Sequence, residues 1–187
     1  MNVWILAIVL IWLTIVSWFD LRNREVPHTA WVALPLAGAM FYQAVVGNWQ
    51  LTFLVAVVAL ASERKRLAKL TELKLDTIFF WAPFLFAGLY LAGKVNPIGA
   101  IAIVGFWLAW ELHCWGGADA VTSIALTLIW PDIKFVLALL AVHALVAVVA
   151  SGFSLLKERK LRVHQLPGLP LLFCSVLLRA ILQARGI

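Results

Sequence analysis

Asp119 stands in the run His113, Cys114, Trp115, Gly116, Gly117, Ala118, Asp119 and Ala120, between two strongly apolar stretches, and a second acid, Asp20, closes the first apolar stretch of the chain and opens DLRNREVPH. Carboxylates in such surroundings are costly and rare, and they mark functional sites whose partners can be named. Two carboxyl groups at hydrogen-bonding distance cannot easily both ionise, so one is pushed toward its neutral form and the pair shares a proton. The ionised member then draws a proton from a trapped water while the neutral member polarises a carbonyl, which is the chemistry of amide hydrolysis. Gly116 and Gly117 suit it, because glycine reaches backbone conformations closed to other residues and lets an extended second chain come close to the acid. Each acid alone has a plainer reading: Asp20 as a stop signal ending a span, Asp119 as the cap of the helix begun by AVTSIALTLIW. Together, beside the glycine loop, they read as a catalytic dyad.

The elements that must carry these acids follow from composition. The 187 residues are 64% apolar and only 13% charged, with a mean hydropathy of +0.99. That lies outside the range of soluble globular domains and predicts an all-α polytopic transmembrane bundle, one domain over 1–187. Apolar segments are expected at 3–19, 29–46, 50–62, 77–93, 97–113, 120–131, 133–152 and 167–184. The third and sixth are short enough to be re-entrant or buried, which leaves six to eight spans. The first is expected to be a retained span with its N-terminus outside, since no basic residue precedes it and Arg22 and Arg24 follow it.

Charge sets the orientation. Alternation that puts 20–28 in the cytoplasm also puts 63–76, 114–119 and 153–166 there, and these loops hold eleven of the 15 basic residues. Four segments separate Asp20 from Asp119, so both acids return to the same, cytoplasmic boundary. The net charge of +6 is read as this bias and as contact with anionic headgroups of the lipid bilayer, not as nucleic-acid binding.

Smaller signals fit. Ser62–Asp76 is expected to extend the third segment as a cytoplasmic helix with Leu67, Leu70 and Leu73 inward. Lys94–Pro97 and Pro131-Asp132 read as tight external turns, and LPGLP at 166–170 as the start of the last span. Of ten tryptophans, Trp4, Trp18, Trp31, Trp49, Trp115 and Trp130 fall near segment ends and suit interfacial belts. Cys114 and Cys174 are too few and too far apart for zinc or a disulfide framework and read as inert core thiols. Glu111 and His113 read as an interfacial pair or as groups tuning the dyad, His143 as a satisfied core histidine, and Arg179 as snorkelling or paired with a buried acid.

These residues resemble the type IV prepilin peptidases and related preflagellin peptidases, which are intramembrane aspartic proteases. Asp20 with Arg22, Val26 and Pro27 is similar to the family's aspartate at a span end, followed by a basic residue and an Ile/Val-Pro pair. Gly116-Gly117-Ala118-Asp119 resembles the family's GxGD motif, with Ala118 where glycine is usual and Val121 where a lysine is common. The resemblance implies catalysis by Asp20 and Asp119, substrate contacts at Gly116, Gly117, Ala118, Arg22 and Pro27, no cofactor and no metal. It implies as partner a prepilin-like precursor with a short basic leader, a glycine before the cut and an apolar helix after it, cleaved at the cytoplasmic face of the inner membrane. Long family members carry a zinc-binding cysteine domain in the first loop and N-methylate the product; this chain has no CxxC pair. The competing readings are a small proton-coupled transporter using the acids as a relay, and a homologue that binds pilin-like helices without cutting them.

Overall fold

A computed structural model describes residues 2–23, 26–27, 29–71, 77–158 and 168–185, with side chains left undescribed from 150 to 158. Among the described residues the chain is all-helical, and its α-helices are α1 (Val3–Asn23), α2 (Leu34–Val45), α3 (Trp49–Ser62), α4 (Arg64–Thr71), α5 (Ile78–Val95), α6 (Pro97–Glu111), α7 (Gly117–Ile129), α8 (Ile133–Glu158) and α9 (Gly168–Ala184). All eight expected segments are helical. By length and composition α1 and α5 could each cross a membrane. The helices α6 and α7 have only 15 and 13 residues.

The helices group into two compact units, Met1–Trp31 with Ile133–Ile187, and Val32–Asp132. In the first, α1 and α8 both pack on α9. The buried stripe of α1, Val9, Trp12, Leu13, Val16 and Ser17, has the spacing of one helical face, and α9 answers with Leu169, Leu172, Ser175 and Val176. A turn of wider, π-type helix spans Thr29–Ala33 just ahead of α2. Pro35 accounts for it: proline has no N–H for the carbonyl four residues back, and its ring crowds that carbonyl. That carbonyl belongs to Trp31, and it accepts instead from Trp12 Nε1 at 2.8 Å.

In the second unit α7 is the central helix, with Ala120 and every residue from Thr122 to Leu128 buried. Helices α2 and α6 flank it, and α3 packs on α5. Gly88 sets the α3–α5 approach, since a Cβ there would lie 3.3 Å from Leu54 Cα. The neighbours alternate in direction, as hydrogen bonds at opposite ends make plain. At one end Gln43 donates through Nε2 to the Leu128 carbonyl. There too Asn96 accepts from the Gly99 N–H at 2.7 Å and donates to the Pro131 carbonyl at 2.6 Å. This asparagine clasps the α5–α6 turn to the α7–α8 turn, and both expected turns are found. At the other end Arg64 meets Glu111, and α7 begins.

Several expectations are corrected. The expected helix after the third segment is present over 64–71 as α4, but a break at Glu63 separates it from α3, where the Arg64 side chain donates to the Ala61 carbonyl at 3.0 Å, and residues 72–76 of that expectation lie outside the described residues. Leu70 points outward, 74% exposed, while Leu73 lies outside the described residues. Cys114 and Cys174 are both exposed thiols rather than core ones. Trp130 is buried at 6% exposure, whereas Trp4, Trp18 and Trp49 are exposed as expected of belt residues. His143 is half-buried, its Nδ1 2.9 Å from the Leu139 carbonyl.

Candidate active site around the α6–α7 loop

The turn that delivers Asp119 is built by α6. Its last residues close in a Schellman motif: the His113 N–H bonds the Trp110 carbonyl at 2.9 Å and the Cys114 N–H bonds that of Ala109 at 2.8 Å. The left-handed residue this motif requires is His113, with φ 59°. Glycine usually fills that position because an L-residue pays about 1–2 kcal/mol there. Trp115 then stacks on Phe106, centroids 5.3 Å apart and planes 9° from parallel. The loop is therefore fixed at both its first and its last residues before α7 starts.

Gly116 is the N-cap residue of α7, and Asp119 lies in its first turn, three residues on. The expectation that Asp119 itself caps the helix is corrected. An acid in the first turn is still favoured by the positive end of the helix dipole. The two glycines are there for space rather than conformation: Gly116 has φ −67° and ψ 149°, open to any residue. A Cβ on Gly116 would lie 3.0 Å from Asp119 Oδ2, and one on Gly117 would lie 3.2 Å from Trp110 Nε1. The Asp119 carboxylate is thus folded back over Gly116, and the start of α7 is pressed against the last turn of α6. Asp119, Gly117 and Ala118 are half-buried, and Gly116 is exposed.

Asp20, half-buried, occupies the last turn of α1 in the other compact unit, with Arg22 exposed two residues on. Pro27 is exposed, and its carbonyl accepts from the Trp31 N–H at 3.2 Å. So Gly116, Gly117, Ala118 and Asp119 are brought together in one unit, and Asp20 and Arg22 sit together on the other.

One feature of the loop end was missed from the sequence. Glu111 takes a bidentate pair of bonds from Arg64, 2.7 and 2.9 Å, with side chains 17% and 22% exposed on the arginine and glutamate. Hydrogen bonding to Glu111 raises the Arg64 pKa above its ordinary value, desolvation works against this, and the charge of Glu111 adds to it. The signal was available: Arg64 is the first basic residue of the loop that alternation puts on the face of Asp119. His113, expected as Glu111's companion, instead supplies the left-handed turn. Among the described residues no three His, Cys, Asp or Glu side chains are grouped to hold a metal ion. Compared with protein-family models, with curated proteins and with solved structures, the chain finds no match.

Proposed function

We propose that this chain is a multi-pass inner-membrane aspartic endopeptidase that removes the short basic leader from prepilin-like or preflagellin-like precursors, with Asp20 and Asp119 as its dyad near the cytoplasmic face. The observation that carries the reading is the half-buried Asp119, held over Gly116 on a loop pinned to α6. Exposed apolar surface supports the membrane setting: on α1, Trp4, Ile8, Ile11 and Trp18 are more than 60% exposed, and on α5 Phe79 is 85% exposed. In water such contiguous surface is a liability, each Å² carrying about 25 cal/mol of unrealised burial. Within Val32–Asp132 neighbouring helices alternate in direction, which supports the alternation on which the expected orientation rests.

In this mechanism the ionised acid of the dyad removes a proton from water as the water oxygen attacks the scissile carbonyl. The neutral acid gives its proton to the carbonyl oxygen, yielding a tetrahedral diol. Its collapse breaks the C–N bond as one diol oxygen re-forms the carbonyl and gives its proton to the other, ionised carboxyl, and the departing amine takes a proton from the acid that gained one from water. Rate against pH is therefore bell-shaped, with two apparent pKa values that belong to the pair. The test is cleavage of a precursor with a basic leader, a glycine and an apolar helix by wild type, Asp20→Asn and Asp119→Asn. Each variant is expected to stay folded and to lose at least ~10³-fold in rate, the scale of losing a central catalytic group. A variant that cuts at the wild-type rate overturns the dyad, and a wild type that never cuts favours the transporter or the non-cleaving binder.

A further inference from the structure

The short helix α4 carries Arg64, Lys65, Arg66 and Lys69 together with Leu67 and Leu70. At about 100° of rotation per residue, Lys65, Lys69 and Arg66 fall within one arc of about 100°, and Leu70 and then Leu67 continue it round the helix. Arg64 belongs to a different side. It lies about 140° from Lys69, and its guanidinium donates to both carboxylate oxygens of Glu111, at 2.7 and 2.9 Å. No residue of α4 is buried. Lys65, Arg66 and Lys69 are exposed, and Leu70 is 74% exposed.

Two points fix the level of this face. Only Glu63 stands between the last residue of α3 and the first of α4, and the Arg64–Glu111 pair ties that first residue to the last of α6. In the proposed membrane setting both helix ends mark the cytoplasmic boundary, so α4, about 12 Å long, starts where lipid headgroups begin. An arc of cationic groups beside two leucines has a matching surface there: anionic headgroups meet the charges, and the acyl boundary beneath them meets the leucines. Glu63, the one acid among residues 62–71, precedes the helix and leaves the arc positive. The proposed substrate is no rival for this face, since its leader is itself basic.

Resting on the membrane setting and not on the peptidase chemistry, we propose that α4 is a docking site for anionic phospholipid. Lys65, Arg66 and Lys69 hold the headgroup phosphates, and Leu70 and Leu67 seat in the layer beneath. Each basic side chain at an anionic leaflet adds about fivefold in partitioning, so the three together hold down a helix with little apolar area of its own. Arg64 takes no part, because Glu111 already occupies its guanidinium. Salt weakens the docking, since it screens charges at the surface.

The test uses the full chain with Cys114→Ser, Cys174→Ser and Leu70→Cys, carrying one nitroxide at position 70. It is reconstituted into vesicles of phosphatidylcholine alone or with phosphatidylglycerol in both leaflets, which makes the readout independent of insertion direction. With phosphatidylglycerol, collision of the label with a neutral, water-soluble nickel chelate is expected to fall severalfold and collision with oxygen to rise, and high salt to reverse both. The combined variant Lys65→Gln, Arg66→Gln, Lys69→Gln is expected to keep its fold, because these side chains are exposed, and to lose the response. A label equally open to nickel in both lipids overturns the site, as does a combined variant that still responds. Protection by DNA or an acidic polypeptide without a response to phosphatidylglycerol also overturns it and assigns the face to a soluble polyanion. The membrane reading fails separately: a chain that floats with neither kind of vesicle overturns both that reading and the site, whereas one that floats with both and ignores the added charge overturns the site alone.

Discussion

Gly116 shows how much can depend on one missing methyl group. Its backbone angles suit alanine, so Gly116→Ala is expected to change unfolding free energy by less than ~1 kcal/mol. The added Cβ, however, would lie 3.0 Å from Asp119 Oδ2 and must move that carboxylate by a few tenths of an ångström. Since displacements of about 1 Å cost roughly 100-fold in rate, a loss near tenfold is expected. Chemical melts and cleavage rates measured on the same preparation check it: stability retained with activity reduced is the expected pair, and full activity would mean the carboxylate is not held where catalysis needs it. The sequence made Gly116 and Asp119 visible as a motif. It assigned the glycines both conformational freedom and room for a close approach, whereas the left-handed residue of this loop is His113. Nothing in a histidine's chemistry announces that role; it follows from where α6 ends.

At the scale of elements, hydropathy located the helices well because each carries a continuous apolar run between charged or Pro/Gly-containing breaks. What it could not locate were features made by pairs of distant residues. The break between α3 and α4 depends on Arg64 reaching both Ala61 and Glu111, and the widened turn before α2 accompanies a Trp12–Trp31 bond. Arg64→Gln and Glu111→Gln are each expected to destabilise by about 1–3 kcal/mol, the range for charge-assisted bonds. A double-mutant cycle should give coupling of about 1–2 kcal/mol, and additive losses would show that the pair contributes nothing as a pair. The pH dependence has a definite sign. A guanidinium with a raised pKa contributes stability at every pH below its ordinary range, and loses it only as pH climbs through the raised value in strong alkali. From the arginine side the pair is thus constant at physiological pH.

For the whole molecule, the two cysteines are natural topology probes because both are exposed rather than core. Cys114 lies in the α6–α7 loop and Cys174 on the apolar helix α9. With that loop cytoplasmic, a membrane-impermeant maleimide is expected to label Cys114 in inverted vesicles but not in intact cells, and to miss Cys174 where lipid covers it. Labelling of Cys114 from outside would reverse the proposed orientation and remove the acids from the side where a leader peptide waits.

The brevity of α6 and α7 has a consequence for the bilayer itself. At ~1.5 Å per residue, helices of 15 and 13 residues measure ~23 and ~20 Å, against a hydrocarbon core of ~30 Å. The Asn96 clasp ties the far ends of this hairpin together, so the whole shortfall of ~7–10 Å cannot be relieved by sliding one helix past the other. In the proposed membrane setting α7 is covered by its neighbours, but lipid meeting the outer side of α6, where Ile101 is 68% and Leu108 45% exposed, must thin around it, at a cost of fractions of a kcal/mol per Å. Headgroups and their water then dip toward Asp119, and a substrate helix entering the dip would have its first one or two turns wetted. Wet turns unwind more easily than dry ones, because water can take over the hydrogen bonds that unwinding breaks. Cleavage should accordingly be faster in vesicles of short-chain lipid than in long-chain ones, and indifference to chain length would mean the hairpin is shielded from lipid by protein.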